Sequence, residues 1–349
     1  MRIICLLICS LLFTSLNAQN HYTKPLHKAY LAEGVKTLKL ENKYGNVRII
    51  QTKNDSLSID VKISLAHYDE DKAKKQIEEI EVAFGNYKKT ISAKTKMSKH
   101  FNTAYNFNID YIVSVPEGVH LKITNLFGNI IAEGDLRNYA EMSVDYGNIY
   151  VDNLIPDEQN KMNYFKLNYS TAHLKKIYNT KILSNFSKIR IKEANNMVVS
   201  SRCSRIEVDS TNTYISNSQN DNCIIKECST FKIKKGNNSH ISLENGVTNA
   251  DLNLKSGTLS IKNIKSFYAI KLNTENTRVD IDIDENAKYN YKSLFKDVKY
   301  QLPEGFIIST HEKDPVTVEE YIEATHGKNA NEVNSSLSIE ATKGYIKIQ

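Results

Sequence analysis

Apolar and polar residues alternate along most of this chain, and the alternation is organised around a recurring turn. A small or turn-forming residue is followed by one variable residue, then by two apolar residues separated by one. The pattern reads Gly45-Asn-Val47-Arg-Ile49, Gly128-Asn-Ile130-Ile-Ala132, Gly147-Asn-Ile149-Tyr-Val151, Ser170-Thr-Ala172-His-Leu174, Ser187-Lys-Ile189-Arg-Ile191 and Ser204-Arg-Ile206-Glu-Val208. It continues through Asp221, Ser239, Gly257 and Thr277 and returns at Gly344-Tyr-Ile346-Lys-Ile348. From 128 to 277 the steps are 19, 23, 17, 17, 17, 18, 18 and 20 residues. A period of that size with alternating apolar residues predicts an all-β chain, a β-solenoid (β-helix-like) of about 17–23 residues per coil.

Each turn is preceded by a second apolar-x-apolar segment, as in Leu38-Lys-Leu40, Leu121-Lys-Ile123, Met142-Ser-Val144 and Phe165-Lys-Leu167. Period-two alternation sends one side chain inward and the next outward, so two short strands per coil can share one interior. About four buried aliphatics per coil, each worth roughly 1.5–3 kcal/mol, cannot fold one coil alone, whereas a stack of coils can fold. No proline occurs between Pro156 and Pro303, as ladders that need every backbone N–H require.

The remaining segments break the period. Residues 19–118 predict a β-rich N-terminal cap, with strands at 56–65, 81–84, 88–93 and 107–115 and a short helix within 69–80. The repeats proper are expected over 119–288. Residues 289–334 predict an insertion with a short helical stretch near Val316–Ala324, and 335–349 a final coil, with Lys343 and Lys347 guarding its edge. Residues 1–18 read as a cleaved signal peptide: Arg2, an apolar run from Ile3 to Phe13, and Leu16-Asn17-Ala18. Cys5 and Cys9 lack the small preceding residue of a lipoprotein signal, so a lipid anchor is the less favoured reading. No later stretch is apolar enough to span a bilayer as a helix. The expected protein is exported, to the periplasm or the cell surface.

The formal charge of +6 is scattered, and Lys-rich outer faces account for it without nucleic acid. Three cysteines follow the leader: Cys203, Cys223 and Cys228. An odd number argues against a disulfide framework, and Cys223 holds an inward apolar position. The histidines show no metal spacing, and there is no Gly-x-Ser-x-Gly, phosphate loop or dinucleotide fingerprint. No catalytic residue, cofactor or metal ligand is therefore assigned.

Two groups of residues remain as candidates. Aromatics precede the turn at Tyr44, Phe127, Tyr146, Tyr169 and Phe186, which stacked coils would align. A structural ring stack is the favoured expectation, because the series gives way to Cys203, Asn220 and Asn238. The alternative is a ligand platform for sugar at Tyr146, Tyr169 and Phe186. Asp280, Asp282 and Asp284 alternate with Val279, Ile281 and Ile283. They are expected on an outer face; as catalysts they would make the chain a carbohydrate-active β-helix enzyme, a polysaccharide lyase or hydrolase.

The repeats also carry a resemblance. The opening Leu38-Lys-Leu-Glu-Asn-Lys-Tyr-Gly-Asn-Val-Arg-Ile49, the passage from Tyr111-Ile-Val-Ser-Val-Pro116 into Leu121-Lys-Ile-Thr-Asn-Leu-Phe-Gly-Asn-Ile130, and the later Tyr-Gly-Asn turn resemble a bacterial envelope family. That family is labelled putative adhesin or domain of unknown function, and is related in shape to the head domains of putative autotransporter adhesins. The resemblance covers most of the chain beyond the leader and implies an exported β-solenoid with no catalytic residues to carry over. It also implies an adhesin-like or scaffold surface that meets envelope macromolecules or polysaccharide. This chain departs from the pattern by losing its glycines between Gly147 and Gly236 and by the 289–334 segment.

Overall fold

The computed structural model describes residues 20–156, 161–327 and 333–349; the expected leader at 1–18 lies outside the described residues. The N-terminal part comprises β1 (Asn20–Leu31), β2 (Thr37–Lys43), β3 (Val47–Thr52), β4 (Ser56–His67), α1 (Glu70–Glu78), β5 (Ile80–Tyr87), β6 (Thr90–Met97) and β7 (Phe107–Pro116). The Asp69 side chain caps α1 by accepting from the Lys72 N–H at 3.0 Å, and Ala73 and Ile77, four apart, supply its buried face. Lys88 and Lys89, expected in a strand, instead form the β5–β6 hairpin turn, with φ of 45° and 66°.

Short strands follow in pairs: β8 (His120–Leu126) and β9 (Ile130–Leu136), β10 (Ala140–Asp145) and β11 (Asn148–Leu154), β12 (Asn163–Asn168) and β13 (Thr171–Ile177), then β14 (Thr180–Asn185). Beyond these the strands run unbroken through the bends, as β15 (Lys188–Arg202), β16 (Arg205–Gln219), β17 (Asn222–Leu243), β18 (Val247–Ile264) and β19 (Ala269–Ile283). The last elements are β20 (Tyr289–Gln301), β21 (Phe306–Asp314), β22 (Glu319–His326) and β23 (Ser336–Ile348). Among the described residues, the 23 strands join in one long sheet that is not closed.

The sheet is built as two parallel ladders that meet at a corner. Before the corner, β2, β8, β10, β12 and β14 pair in register, with Leu38 beside Leu121 and Met142 beside Phe165. After it, β3, β9, β11, β13 and β15 do the same. Ala172, Ile189, Ile206 and Cys223 are consecutive partners in this second ladder, and all four are buried. Inward residues from both ladders contribute to a single hydrophobic core. The alternating sequence is the reason: each strand puts every second side chain into that core.

Chain order and spatial order part company at both ends. β2 and β3 lie between β6–β7 on one side and β8–β9 on the other, so the parallel ladders already include residues before 119. The antiparallel strands β4 and β1 add to β7, and β5 to β6. At the other end β23 lies between β19 and β20, parallel to both, with Ile346 opposite Val279 and Tyr300. Lys347 faces Asp280 on one side and Gln301 on the other, so the final strand is paired on both sides rather than forming a guarded edge. The sheet ends instead in antiparallel β22 and β21.

The short helix expected near 316–324 is a turn followed by a strand. The Asp314 carboxylate accepts from the Val316 N–H at 2.8 Å, and β22 then buries Ile322, Ala324 and His326 at period two. The β-branched Val316, Thr317, Val318 and Ile322 and the pairing offered by β20 outweigh the local helical pattern.

Two outcomes follow from this arrangement. Replacing Ile206 by Asp buries an unpaired charge and is expected to cost about 3–5 kcal/mol, whereas Glu207→Gln on the outer face stays within about 1 kcal/mol; thermal melting of the two variants compares them. Deleting residues 335–349 removes the partner of both β19 and β20. The truncated protein is expected to aggregate, and a monomer with unchanged melting temperature in light scattering would contradict the sandwiched position.

Candidate functional site

The residue at each corner between the ladders has a left-handed backbone. Tyr44, Phe127, Tyr146, Tyr169 and Phe186, then Cys203, Asn220, Asn238, Ser256, Asn276 and Lys343, have φ between 48° and 60°. Such a conformation costs a non-glycine residue roughly 1–2 kcal/mol, and offset ring pairs return about 0.5–1.5 kcal/mol each. The rings do stack: Tyr44–Phe127, Phe127–Tyr146, Tyr146–Tyr169 and Tyr169–Phe186 have centroids 5.1, 5.3, 5.1 and 5.0 Å apart. The last two pairs lie within 3° of parallel. Tyr146, Tyr169 and Phe186, the candidate platform, are thus brought together and about half exposed, at 54%, 53% and 48%. Tyr146 and Tyr169, however, are covered on both faces and Phe186 on one.

The residue after the corner decides how the backbone is held. A Cβ on Gly128 would fall 1.9 Å from the Gly45 carbonyl oxygen, and one on Gly147 2.0 Å from that of Gly128. Only glycine fits there. The asparagine that follows builds a ladder of its own: Asn46 Oδ1 accepts from Asn129 Nδ2, and Asn129 Oδ1 from Asn148 Nδ2, both at 2.9 Å. The Tyr-Gly-Asn turn is therefore a structural unit.

Where glycine is lost, hydroxyls take over. Ser187 Oγ accepts from the Ser170 N–H at 3.1 Å and donates to the Asn185 carbonyl at 2.7 Å; Ser204 Oγ likewise accepts from the Ser187 N–H at 3.3 Å. The series continues into Asp221, whose carboxylate accepts from the N–H of Ser204 and Gln219 and from the hydroxyls of Ser201 and Ser218, at 2.6–3.0 Å. Asp221 is 2% exposed, and these four donors account for its burial.

Past Phe186 the ring column stops, and a groove of about 880 Å³ opens along the corner over Cys203, Asn220 and Asn238. Lys188 and Arg205, register partners in adjacent strands, form one wall. Together with Arg190 they converge on a single carboxylate. Glu207 accepts from Arg190 Nε at 2.9 Å, bonds Arg205, and lies 3.9 Å from Lys188 Nζ. Partial burial pushes the Glu207 carboxyl up, but the bonds from Arg190 and Arg205 and the Lys188 charge hold it below its ordinary value. Sequence reasoning passed over this cluster because its members look like ordinary outer-face charges. The register alone brings them together.

The acidic candidates do not converge with other chemistry. Asp280 and Asp282 are partly exposed and Asp284 exposed. Asp282 accepts from the Asn263 N–H at 3.4 Å and Asp284 from the Asn286 N–H at 2.9 Å. Cys203, Cys223 and Cys228 are unpaired thiols. Burial pushes the thiols of Cys223 and Cys228 up to about 12, so both remain protonated at neutral pH. Among the described residues no group of three or more His, Cys, Asp or Glu is placed to hold a metal ion, and no helix is long and apolar enough to cross a membrane.

No family model and no curated protein matches this chain. Among solved structures it is similar to a putative cell adhesion protein from Clostridium sporogenes ATCC 15579, at 14% identity and TM-score 0.21, over 94% of this chain and 99% of that one. It is also similar to a putative adhesin from Bacteroides fragilis NCTC 9343, at 10% identity and TM-score 0.27, over 93% of this chain and 97% of that one.

Asp221 provides the sharpest test of the corner. Asp221→Ala takes the acceptor from the buried Ser204 N–H and Ser201 hydroxyl and from the part-buried Gln219 N–H, while the Ser218 hydroxyl keeps Ser239 Oγ; it is expected to cost about 3 kcal/mol in denaturant unfolding. Ser187→Gly, which removes one hydroxyl, is expected to cost about 1 kcal/mol.

Proposed function

We propose that this chain is a non-enzymatic exported β-solenoid of the bacterial envelope, a scaffold or adhesin-like surface that meets other macromolecules along its outer strand faces. In this reading each corner and its two flanking strands form one coil, and the antiparallel strands at either end cap the stack. The leader at 1–18 directs the protein to the periplasm or the cell surface. The observation that carries the reading is the register of the two ladders. In-register parallel strands place outward side chains in straight columns about 4.8 Å apart, a long rigid surface suited to repeating polymers and broad partners. Asp280 and Asp282 lie along β19 and Asp284 just beyond its end; two of the three are bonded to backbone N–H groups, and all act here as solvated outer-face charges.

The test is cosedimentation of the protein with isolated bacterial envelope fragments, run beside a search for cleavage products. Saturable cosedimentation is expected, with no new reducing ends or unsaturated sugars from acidic or neutral polysaccharides, with or without Ca²⁺. Cleavage that disappears in Asp280→Ala or Asp282→Ala would replace the scaffold with an enzyme. Failure to sediment with any envelope fraction would remove the surface role.

A further inference from the structure

The ring column has one face left open, and its position is informative. Within the stack each ring is covered on both sides, so Phe127, Tyr146 and Tyr169 offer only their edges. Phe186 is covered by Tyr169 at 5.0 Å on one side; on the other, the next corner residue is Cys203, which carries no ring. The thiol is too short to cover a phenyl face; Phe186, at 48% exposed, is no more exposed than the covered Tyr146 and Tyr169, so the missing ring alone marks this side as open. The shallow groove of about 880 Å³ runs past this step, its lining extending from Tyr169 to Asn238 and His240.

Its chemistry is not neutral. Lys188 and Arg205 stand two residues after Phe186 and Cys203 and project from the adjacent column of the second ladder. With Arg190 they share the carboxylate of Glu207, and the Asp221 carboxylate in the same lining is held by its four donors, so three cations meet one carboxylate at this wall. The floor beyond Cys203 offers amides: Asn238 Nδ2 donates to Asn220 Oδ1 at 2.9 Å, Asn220 Nδ2 donates to Cys203 Sγ at 3.9 Å, and Asn222 lies beside them. One aromatic face, an adjoining cationic wall and a row of amides together match a sugar ring that bears an acid.

We propose that this groove binds an anionic polysaccharide, with one sugar ring stacked on the open face of Phe186, its carboxylate or sulfate groups on Lys188 and Arg205, and its hydroxyls on Asn222. The inference rests on the surface-binding reading above and specifies its ligand class. A single-stranded nucleic acid is also anionic and also stacks, but it uses successive open ring faces, and this column offers one.

Affinity electrophoresis of the full chain through gels holding polygalacturonate, dextran or poly(dT) separates the cases. Retardation is expected by polygalacturonate alone and should weaken as salt rises. Cys203→Phe would place a ring over Phe186 and occupy the groove without disturbing the core. It should weaken retardation about tenfold or more, at an unchanged melting temperature. The double variant Lys188→Gln and Arg205→Gln should do the same, while Lys292→Gln with Lys296→Gln, far along the sheet, should bind as the parent does. Equal retardation by dextran, stronger retardation by poly(dT), or polygalacturonate binding indifferent to Cys203→Phe would each overturn the assignment. Envelope cosedimentation that persists in the Cys203→Phe variant would overturn this site and leave the broader surface role standing.

Discussion

Everything in this molecule depends on how the backbone turns the corner between its two ladders. Neighbouring strands in a parallel ladder sit about 4.8 Å apart, so a bend repeated in register brings one corner directly onto the next. Each corner must then adopt a left-handed residue and satisfy the N–H groups that the bend takes out of the ladder. Two chemistries solve this. Gly128 and Gly147 bring bare backbone against the carbonyl of the neighbouring corner, Gly45 does the same against the Ile109 carbonyl of β7, and the following asparagines stack their amides. From Ser170 to Ser239 side-chain oxygens accept the N–H of the adjacent corner instead, with Asp221 as the most heavily bonded member of the series.

The left-handed position itself tells the same story from the outside. Asparagine tolerates this backbone better than most residues, and it occupies the column at 220, 238 and 276. Tyrosine and phenylalanine have no such tolerance, and they occur only where four successive ring contacts offset the cost. A ring at this position is stable in company, which is why the aromatics form one uninterrupted block rather than being scattered. Sequence alone made this block visible, because its members recur at the same place in the period.

Other features were legible only in part. The alternation of Ile189 with Ile191 and Ile206 with Val208 fixes which side chains face the core, since a shift of one residue would turn every apolar group outward. The same alternation is blind to order along the stack. Leu337, Ile339, Ile346 and Ile348 announce two strands and a corner, yet any rung could receive them, and β23 lies between β19 and β20. The displaced position of β2 and β3 is equally silent in the pattern. β22 was misread because Val316 to Ala324 can be spaced as a helix when its antiparallel partner is unknown. The convergence of Lys188, Arg190 and Arg205 on Glu207 needs register as well as period, for Lys188 and Arg205 are partners only across strands.

These constraints also say where binding specificity can reside. Residues that hold the corner cannot vary freely: a side chain at Gly128 meets a carbonyl, and loss of the Asp221 carboxylate takes an acceptor from four donors. The Tyr-Gly-Asn turn that makes the chain look familiar is thus spent on the fold and has little freedom to encode a ligand. The outward columns are free by comparison, but a regular column presents the same shape at every rung and selects nothing in particular. Selection needs an interruption that the core does not feel. The replacement of a ring by the thiol of Cys203 is such an interruption: it ends the ring column at Phe186 outside, while Ile189 and Ile206 continue in register beneath it.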